Sequence, residues 1–179
     1  YLLFIIGAGL ACAPFLWFIL KDYQRARLLV FLNPNLDPLG AGYTIIQSKI
    51  AIGSGGIFGK GWLAGTQNQL NFLPERHTDF IFSVVGEEWG FIGGALLLFL
   101  YYRFVGKGIR IAETTSDIYG KTLAYGIVTI FAVHIIVNIG MVCGVMPVVG
   151  LPLPFVSYGG SFLIMCLACV GILENIKNK

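Results

Sequence analysis

Four titratable side chains crowd into residues 72–82, the stretch FLPERHTDFIF. Glu75, Arg76, His77 and Asp79 fall within five positions, and a long apolar run begins directly after them. Carboxylates and imidazoles take up protons or bind divalent cations, and a guanidinium binds phosphate. We therefore predict that this stretch carries the chemistry of the protein and that the remaining chain positions it.

The spacing of these residues allows two geometries. In a helical turn, Glu75 and Asp79 would lie on one side, because residues four apart are neighbours on a helix. In an extended segment, Glu75, His77 and Asp79 would share a face. Either arrangement could bind a divalent cation or handle a proton. Arg76, together with Lys60 from an upstream loop, could hold an anionic phosphate.

A structural interpretation of the same stretch stays open. Thr78 or Asp79 could cap the helix that follows, while Glu75 and Arg76 are solvated loop charges. Capping and catalysis do not exclude each other, because an N-cap position is a well-defined mount for a side chain.

Composition places the chain in a membrane. Of its 179 residues, 56% are hydrophobic and only 12% are charged, whereas a soluble domain carries about 25% charged residues. So few polar groups cannot cover a water-exposed surface, so we predict an integral membrane protein. The net charge of +3 gives no indication of nucleic acid. The chain opens inside an apolar run without a Met, so we expect a piece of a longer protein.

Four apolar runs predict an all-α membrane fold, with transmembrane helices at about 1–20, 80–102, 122–146 and 155–174. The long connection 21–79 is expected to contain two short amphipathic helices, at 23–32 and 42–52. Residues 103–121 are expected to form a short loop.

Orientation follows from the basic residues. Six Lys and Arg lie in the long connection, four in the short loop and two in the tail. Short loops dominate the orientation signal, so we place the short loop and the tail in the cytoplasm and the long connection outside.

Residues 53–61 (GSGGIFGKG) are rich in glycine and contain Lys60. A phosphate-binding P-loop would need Gly at position 54 and Ser or Thr at position 61, and the chain has Ser54 and Gly61. We predict a tight turn with positive φ angles. The alternative is a loop whose backbone N–H groups approach a lipid pyrophosphate.

Polar residues inside the predicted spans are candidates for function because burying them in lipid is costly. Glu87 and Glu88 could support the site, or one could pair with a basic residue of a neighbouring helix. His134 is expected to be an interhelical hydrogen-bonding residue rather than a ligand. A face of small residues for close helix packing is formed by Gly86, Gly90 and Gly94.

Two further features are read as structural. The segment 147–161 (PVVGLPLPFVSYGGS) is expected to be irregular, which is tolerated at membrane depth only where it is buried or lines a cavity. The four cysteines all lie in apolar runs, so packing is expected rather than a zinc or redox site; they are Cys12, Cys143, Cys166 and Cys169.

Several motifs resemble those of the SEDS family of membrane proteins. They are 33–43 (NPNLDPLGAGY), 47–56 (QSKIAIGSGG), 65–67 (GTQ), 72–80 (FLPERHTDF), 86–88 (GEE) and 152–161 (PLPFVSYGGS). The long-loop motifs are closer to the elongation-type, RodA-like branch than to the division-type branch. Phe162 departs from the small residue usual at that position.

The resemblance implies a polytopic bundle of about ten helices, of which this chain would be the C-terminal part. It implies a glycosyltransferase that polymerises lipid II, with Asp79 as the essential aspartate that deprotonates the acceptor hydroxyl. Arg76, Lys60, Glu75 and His77 would contact substrate, and the supporting residues would be Glu87, Glu88 and Ser157.

The resemblance also implies partners and a location. A divalent cation, Mg²⁺ or Mn²⁺, or basic residues would stabilise the pyrophosphate leaving group, and no nucleotide is expected. Asp79 and Glu75 are candidate ligands of such a cation. The partners would be a class B penicillin-binding protein, other elongation-complex membrane proteins and membrane lipids. The protein would span the bacterial cytoplasmic membrane several times, with the catalytic loop on the outer face.

Two rival functions remain at this point. A lipid II flippase or transporter would use intramembrane polar residues and a broken segment equally well. A non-catalytic scaffold for a partner synthase would need no catalytic residue.

Overall fold

The computed structural model describes residues 20–33, 37, 40, 42–70 and 72–178. The described elements are the α-helices α1 (Asp22–Leu32), α2 (Tyr43–Gly55), α3 (Thr66–Gln69), α4 (Ile81–Thr114), α5 (Ile118–Val142) and α6 (Gly160–Lys177). The all-α fold class is therefore confirmed. Residues from Thr44 onward form one compact unit, and α1 belongs to another. The predicted first span lies outside the described residues, apart from Leu20.

Three described helices are long and apolar enough to cross a membrane, namely α4, α5 and α6. Helix α4 continues to Thr114, so the predicted loop 103–121 is wrong and the connection is only 115–117. Basic residues such as Arg103 and Lys107 limit how deeply a helix sits in lipid. They do not interrupt its backbone hydrogen bonds, so the helix outlasts the apolar run.

The other two spans also shift relative to their predicted bounds. Helix α5 begins early because the Asp117 side chain accepts hydrogen bonds from backbone N–H groups of its first turn. It ends at Val142, and Gly144 follows with a φ of +69°, a common way to terminate a helix. Helix α6 begins at Gly160 rather than near 155, because residues 154–158 form a turn.

The apolar core consists of two clusters along the antiparallel pair α4 and α5. The first packs the start of α4 against the end of α5 and contains Leu73, Phe80, Phe82, Tyr101, Ile135, Met141, Val142 and Leu153. The second packs the end of α4 against the start of α5 and against α6, and contains Ala112, Ala124, Ile127, Phe131, Cys166, Leu173 and Ile176. Cys166 is fully buried there, which agrees with a packing role.

Helix α4 is broken at Gly90, whose φ of +65° and ψ of −161° are not helical. A break at this point would deprive the carbonyls of Glu87 and Glu88 of their partners one turn ahead. The glycine-rich loop supplies substitutes. The backbone N–H groups of Lys60 and Gly61 donate to these two carbonyls, each over 3.0 Å.

The same loop also serves the other side of the break. Beyond Gly90, the backbone N–H groups of Phe91 and Ile92 have lost the carbonyls to which they would normally donate. They donate instead to the carbonyls of Gly56 and Ile57, over 2.9 and 3.2 Å. Four backbone hydrogen bonds between the loop and the helix thus replace the missing helical ones.

This close approach depends on missing side chains. A Cβ atom on Gly59 would lie 2.1 Å from the carbonyl oxygen of Glu88, and one on Gly90 would lie 2.3 Å from the backbone nitrogen of Gly59. Positive φ angles at Gly56, Gly59 and Gly61 confirm the predicted tight turn. The small-residue face of α4 therefore receives a loop of this chain at Gly90.

Gly90→Ala is expected to destabilise the protein. Alanine would have to adopt a positive-φ, extended-ψ backbone conformation that is essentially restricted to glycine, which costs about 1–3 kcal/mol, and its Cβ would meet the loop backbone. We expect the apparent Tm of the purified protein in detergent to fall by several degrees, in a thermal-unfolding scan.

Gly106→Ala is the matched control on the same helix. A Cβ there meets nothing within 4 Å, and alanine favours a helix over glycine by about 1 kcal/mol. Its Tm should stay or rise slightly. An unchanged Tm for Gly90→Ala would contradict the break at this position.

Candidate active site

The charged stretch forms a tight turn immediately before α4. Glu75 has a φ of +52°, and its carbonyl accepts hydrogen bonds from the N–H groups of Thr78 and Phe80, each over 3.2 Å. The Thr78 hydroxyl donates to the Glu75 carboxylate over 3.1 Å. Residues 74–80 are therefore neither a helical turn nor an extended strand, so neither of the two predicted geometries is present.

The capping interpretation is also wrong in its assignment. The N-cap residue of α4 is Phe80, which makes no side-chain cap bond, so neither Thr78 nor Asp79 occupies that position. Asp79 is half-buried. Its Oδ2 lies 3.1 Å from where a Cβ of Gly150 would be, so its carboxylate faces the backbone of the irregular segment that precedes α6.

The backbone carbonyls of residues 77–79 in the turn all accept hydrogen bonds from α5 or from the irregular segment. The Tyr158 backbone N–H donates to the first over 2.7 Å, and the Ser157 hydroxyl to the second over 2.6 Å. The Asn138 side-chain amide donates to the third, that of Asp79, over 2.9 Å. The backbone that carries Asp79 is therefore bound at every residue over these three positions.

The irregular segment is itself fixed by side chains of the helices. Asn138 also donates to the carbonyl of residue 151 over 2.6 Å. The Tyr101 hydroxyl donates to that of residue 154 over 2.6 Å, and Nδ1 of His134 lies 3.1 Å from that of residue 152. The segment is irregular as predicted, and His134 makes a hydrogen bond within the packing, with its ring stacked on Phe162.

Glu87 lies at the centre of a second polar group. It is 1% exposed and its carboxylate is 2.8 Å from Nζ of Lys60. The Thr66 hydroxyl and the backbone N–H groups of Gln67 and Asn68 also donate to it, over 3.1, 3.0 and 3.3 Å. The cation that pairs with Glu87 thus comes from the glycine-rich loop of this chain rather than from a neighbouring helix.

Asn68 links this group to the charged turn. Its side-chain amide donates to the Glu88 carboxylate over 3.2 Å. Its backbone carbonyl accepts a hydrogen bond from the Arg76 guanidinium. Nε of Arg76 donates to Nε2 of His77 over 3.0 Å. The predicted site residues therefore fall into two groups. Ser157 binds the backbone of the turn next to Asp79, and Lys60 binds Glu87. Arg76 connects the two groups through Asn68 and also binds His77.

The predicted metal ligands are too few on their own. Among the described residues, no three His, Cys, Asp or Glu side chains are grouped so that they could hold a metal ion. Asp79 and Glu75 offer two carboxylates, and Glu75 is exposed, whereas a hard divalent cation takes about six oxygen ligands. Mg²⁺ is commonly bound by one or two carboxylates together with waters and substrate phosphates, so the predicted cation stays a prediction.

Sequence reasoning did not assign Asn68 and Asn138, which contact the candidate site directly, or Tyr101, which packs against the irregular segment at Pro154, away from Asp79. Of these, Asn138 gave a usable signal, because a polar residue within an apolar span is expected to serve structure or function. Tyr101 and Asn68 are ordinary in their sequence context. Only the folding of distant segments against them reveals their role.

Comparison with known proteins identifies relatives of this chain. The model of the FtsW/RodA/SpoVE family, described as cell cycle proteins, matches residues 1–179. The peptidoglycan glycosyltransferase MrdB of Escherichia coli K12 is 58% identical over 167 residues, 93% of this chain and 45% of its own. The peptidoglycan glycosyltransferase RodA of Treponema pallidum is 50% identical over 161 residues, 90% of this chain and 37% of its own.

A solved structure has the same fold. It shows a peptidoglycan synthase complex that coordinates polymerization and crosslinking, and it matches 99% of this chain and 48% of its own chain. The TM-score is 0.77 at 40% sequence identity. The chain thus spans about half the length of the relatives that it matches.

The ion pair between Lys60 and Glu87 predicts a strong, coupled effect on stability. Glu87→Gln leaves a partly buried ammonium without its charge partner, so we expect a loss of about 2 kcal/mol or more, or roughly 4–8 °C in apparent Tm. Lys60→Met should cost a similar amount. The double variant should lose clearly less than the sum, as measured in a double-mutant cycle.

Glu174 and Lys177 provide the control pair. They form an ion pair of 3.2 Å in which both side chains are 55% exposed, and such surface pairs contribute about 0–1 kcal/mol. Glu174→Gln and Lys177→Met should change the Tm little. Equal losses from the two pairs would contradict a supporting role for Glu87.

Proposed function

This chain belongs to the FtsW/RodA/SpoVE family of cell cycle proteins, and on that premise we propose that it is the C-terminal part of a peptidoglycan glycosyltransferase. The whole enzyme would be a membrane domain of about ten helices. It would polymerise the disaccharide units of lipid II into glycan strands during cell elongation and maintenance of the rod shape. The relatives named as peptidoglycan glycosyltransferases support this activity.

The observation that carries the proposal is the way in which hydrogen bonds fix the backbone of the turn that carries Asp79. Three consecutive carbonyls of the turn are hydrogen-bonded to Asn138, Ser157 and Tyr158, while the carboxylate faces Gly150. A general base is effective only when it is held within hydrogen-bond reach of the proton that it removes. A carboxylate on a turn fixed in this way is suited to that task.

In the proposed reaction, Asp79 accepts the proton of the acceptor sugar hydroxyl while that oxygen attacks the anomeric carbon of the donor. The bond between this carbon and the undecaprenyl pyrophosphate oxygen breaks, and the leaving group departs with the bonding electrons. A new glycosidic bond joins the two sugars, and the leaving group carries the negative charge.

Arg76 is the best candidate for contact with the pyrophosphate. It is half-buried and lies three positions before Asp79 in the sequence. The described contacts use two of the five N–H donors of its guanidinium. Lys60 is bound to Glu87, so we assign it, with Glu88, to support of the turn through Asn68. His77 and Glu75 shape the turn itself.

The cation implied by the resemblance, Mg²⁺ or Mn²⁺, stays a prediction. Asp79 and Glu75 alone would be two ligands, and no step of the proposed reaction is routed through the ion.

The chain is an integral membrane protein, and we propose the bacterial cytoplasmic membrane with the charged turn on its outer face. The basic end of α4, with Arg103, Lys107 and Arg110, favours a cytoplasmic position for the 115–117 connection. As partners we propose a class B penicillin-binding protein and other membrane proteins of the elongation complex. The similarity to a peptidoglycan synthase complex supports this pairing.

The proposal is tested with the full-length protein that contains this chain, purified in detergent with its partner synthase inactivated and supplied with lipid II. Wild type is expected to form glycan strands, read as a ladder on a gel. Asp79→Asn is expected to lower the rate about 10²- to 10⁴-fold, the usual contribution of a general base. Its apparent Tm should remain close to that of wild type.

Glu113→Gln is the control, because Glu113 is an exposed carboxylate near the far end of α4. It should polymerise like wild type. Full activity of Asp79→Asn would overturn the assignment of the base and spare the enzyme. Absence of polymer from wild type would overturn the polymerase in favour of a flippase, which needs a sealed bilayer, or of a scaffold.

A further inference from the structure

Asn138 lies deep in the fold and connects two segments that are far apart in sequence. Its side chain is 0% exposed. One amide group donates both to the carbonyl of Asp79, over 2.9 Å, and to that of Leu151, over 2.6 Å. It therefore ties the residue that carries the carboxylate to the turn that the carboxylate faces.

The second segment reaches the carboxylate within one residue of this tie. Gly150 precedes Leu151, has a φ of +80° and places its Cα so that a Cβ would lie 3.1 Å from Oδ2 of Asp79. Two hydrogen bonds from this single side chain therefore hold Asp79 itself next to the irregular segment, in addition to those that Ser157 and Tyr158 make to the two preceding carbonyls. A side-chain amide NH₂ is one of the few groups that can make both, because it has two N–H donors.

The chemistry of the rest of the side chain points the same way. Within the described residues, Oδ1 of Asn138 accepts no hydrogen bond although it is buried. A buried unpaired acceptor destabilises a protein. The described hydrogen bonds of the side chain are therefore made by its NH₂ group alone, and they hold the carbonyls of Asp79 and Leu151.

We propose that Asn138 is a positioning residue for Asp79, which keeps the carboxylate at a fixed distance from Gly150 and thereby at a fixed distance from the reacting hydroxyl. The assignment rests on the proposed function of Asp79 as general base. Because the residue acts through the backbone of Asp79, its loss should affect the chemical step more than the binding of lipid II.

Asn138→Leu keeps much of the volume and removes both donors. We expect a 10- to 100-fold lower kcat in the lipid II assay with the full-length protein, since small misplacements of a catalytic group have effects of about this size. KM should change by less than about threefold. In parallel, amide hydrogen exchange of a peptide covering residues 72–82 should become faster, which reports the loosened turn independently of activity.

Tyr101→Phe is the matched control. It removes one buried hydrogen bond to the same irregular segment, at the Pro154 carbonyl, and leaves the tie to Asp79 intact. We expect a loss of Tm, a kcat within about twofold of wild type and unchanged exchange in residues 72–82. Equal effects of Tyr101→Phe and Asn138→Leu on kcat would overturn the assignment.

A second pair of variants tests the distance between Asp79 and Gly150 by changing the glycine instead. It replaces the first test if Asn138→Leu does not fold. Gly150→Ala presses a methyl group toward Oδ2 of Asp79, whereas Gly56→Ala carries similar backbone strain, with a φ of +57° and no atom within 4 Å of its Cβ. Only Gly150→Ala should lower kcat by tenfold or more. Equal kcat values for the two would overturn the proposal.

The outcomes separate this assignment from the proposed function. If wild type polymerises lipid II and a folded Asn138→Leu variant has the wild-type kcat, the positioning role is wrong and the polymerase stands. If wild type makes no polymer, the proposed function fails and the catalytic meaning of Asn138 fails with it. Faster exchange in residues 72–82 would then still show the tie itself.

Discussion

The structure depends on one constraint, which is that a backbone polar group inside a membrane must find a hydrogen-bond partner within the protein. Helix α4 breaks this rule at Gly90, and the glycine-rich loop restores it with four backbone hydrogen bonds. The bonds bring Lys60 next to Glu87. The position of α3, the burial of Glu87 and the course of the loop toward the charged turn all follow from this repair.

The same constraint shapes the other side of the site. The segment between α5 and α6 has no regular hydrogen bonding of its own. Its carbonyls accept hydrogen bonds from the side chains of Tyr101 and Asn138, and the backbone N–H of Leu153 donates to the Ser157 hydroxyl. Tyr101 lies on α4, Asn138 lies on α5 and Ser157 belongs to the segment itself. Asn138 and Ser157 also bind the turn that carries Asp79. The same side chains therefore supply hydrogen bonds to the irregular segment and fix the backbone of Asp79.

Much of the candidate site could be predicted from residue types. The cluster 75–79, the irregular segment 147–161 and the tight turn at 53–61 all stand out, because charge, proline and glycine are rare or patterned in an apolar chain. The pairing of Lys60 with Glu87 could not be predicted, since 27 positions separate them and the loop that joins them turns on glycine conformations. The helix ends were shifted because capping at Asp117 and the helical continuation past Arg103 act locally, independently of the apolar run.

By itself, the sequence determined the class of protein, the three apolar helices that the structure describes and the stretch in which we propose that chemistry occurs, because hydropathy and residue type are properties of local composition. Only the tertiary structure decided what each charged group does. It showed that Lys60 neutralises Glu87, that Glu75 forms a turn and that Asp79 is held through its backbone by Asn138. These roles depend on which distant segments meet, and packing and hydrogen bonding between segments decide that.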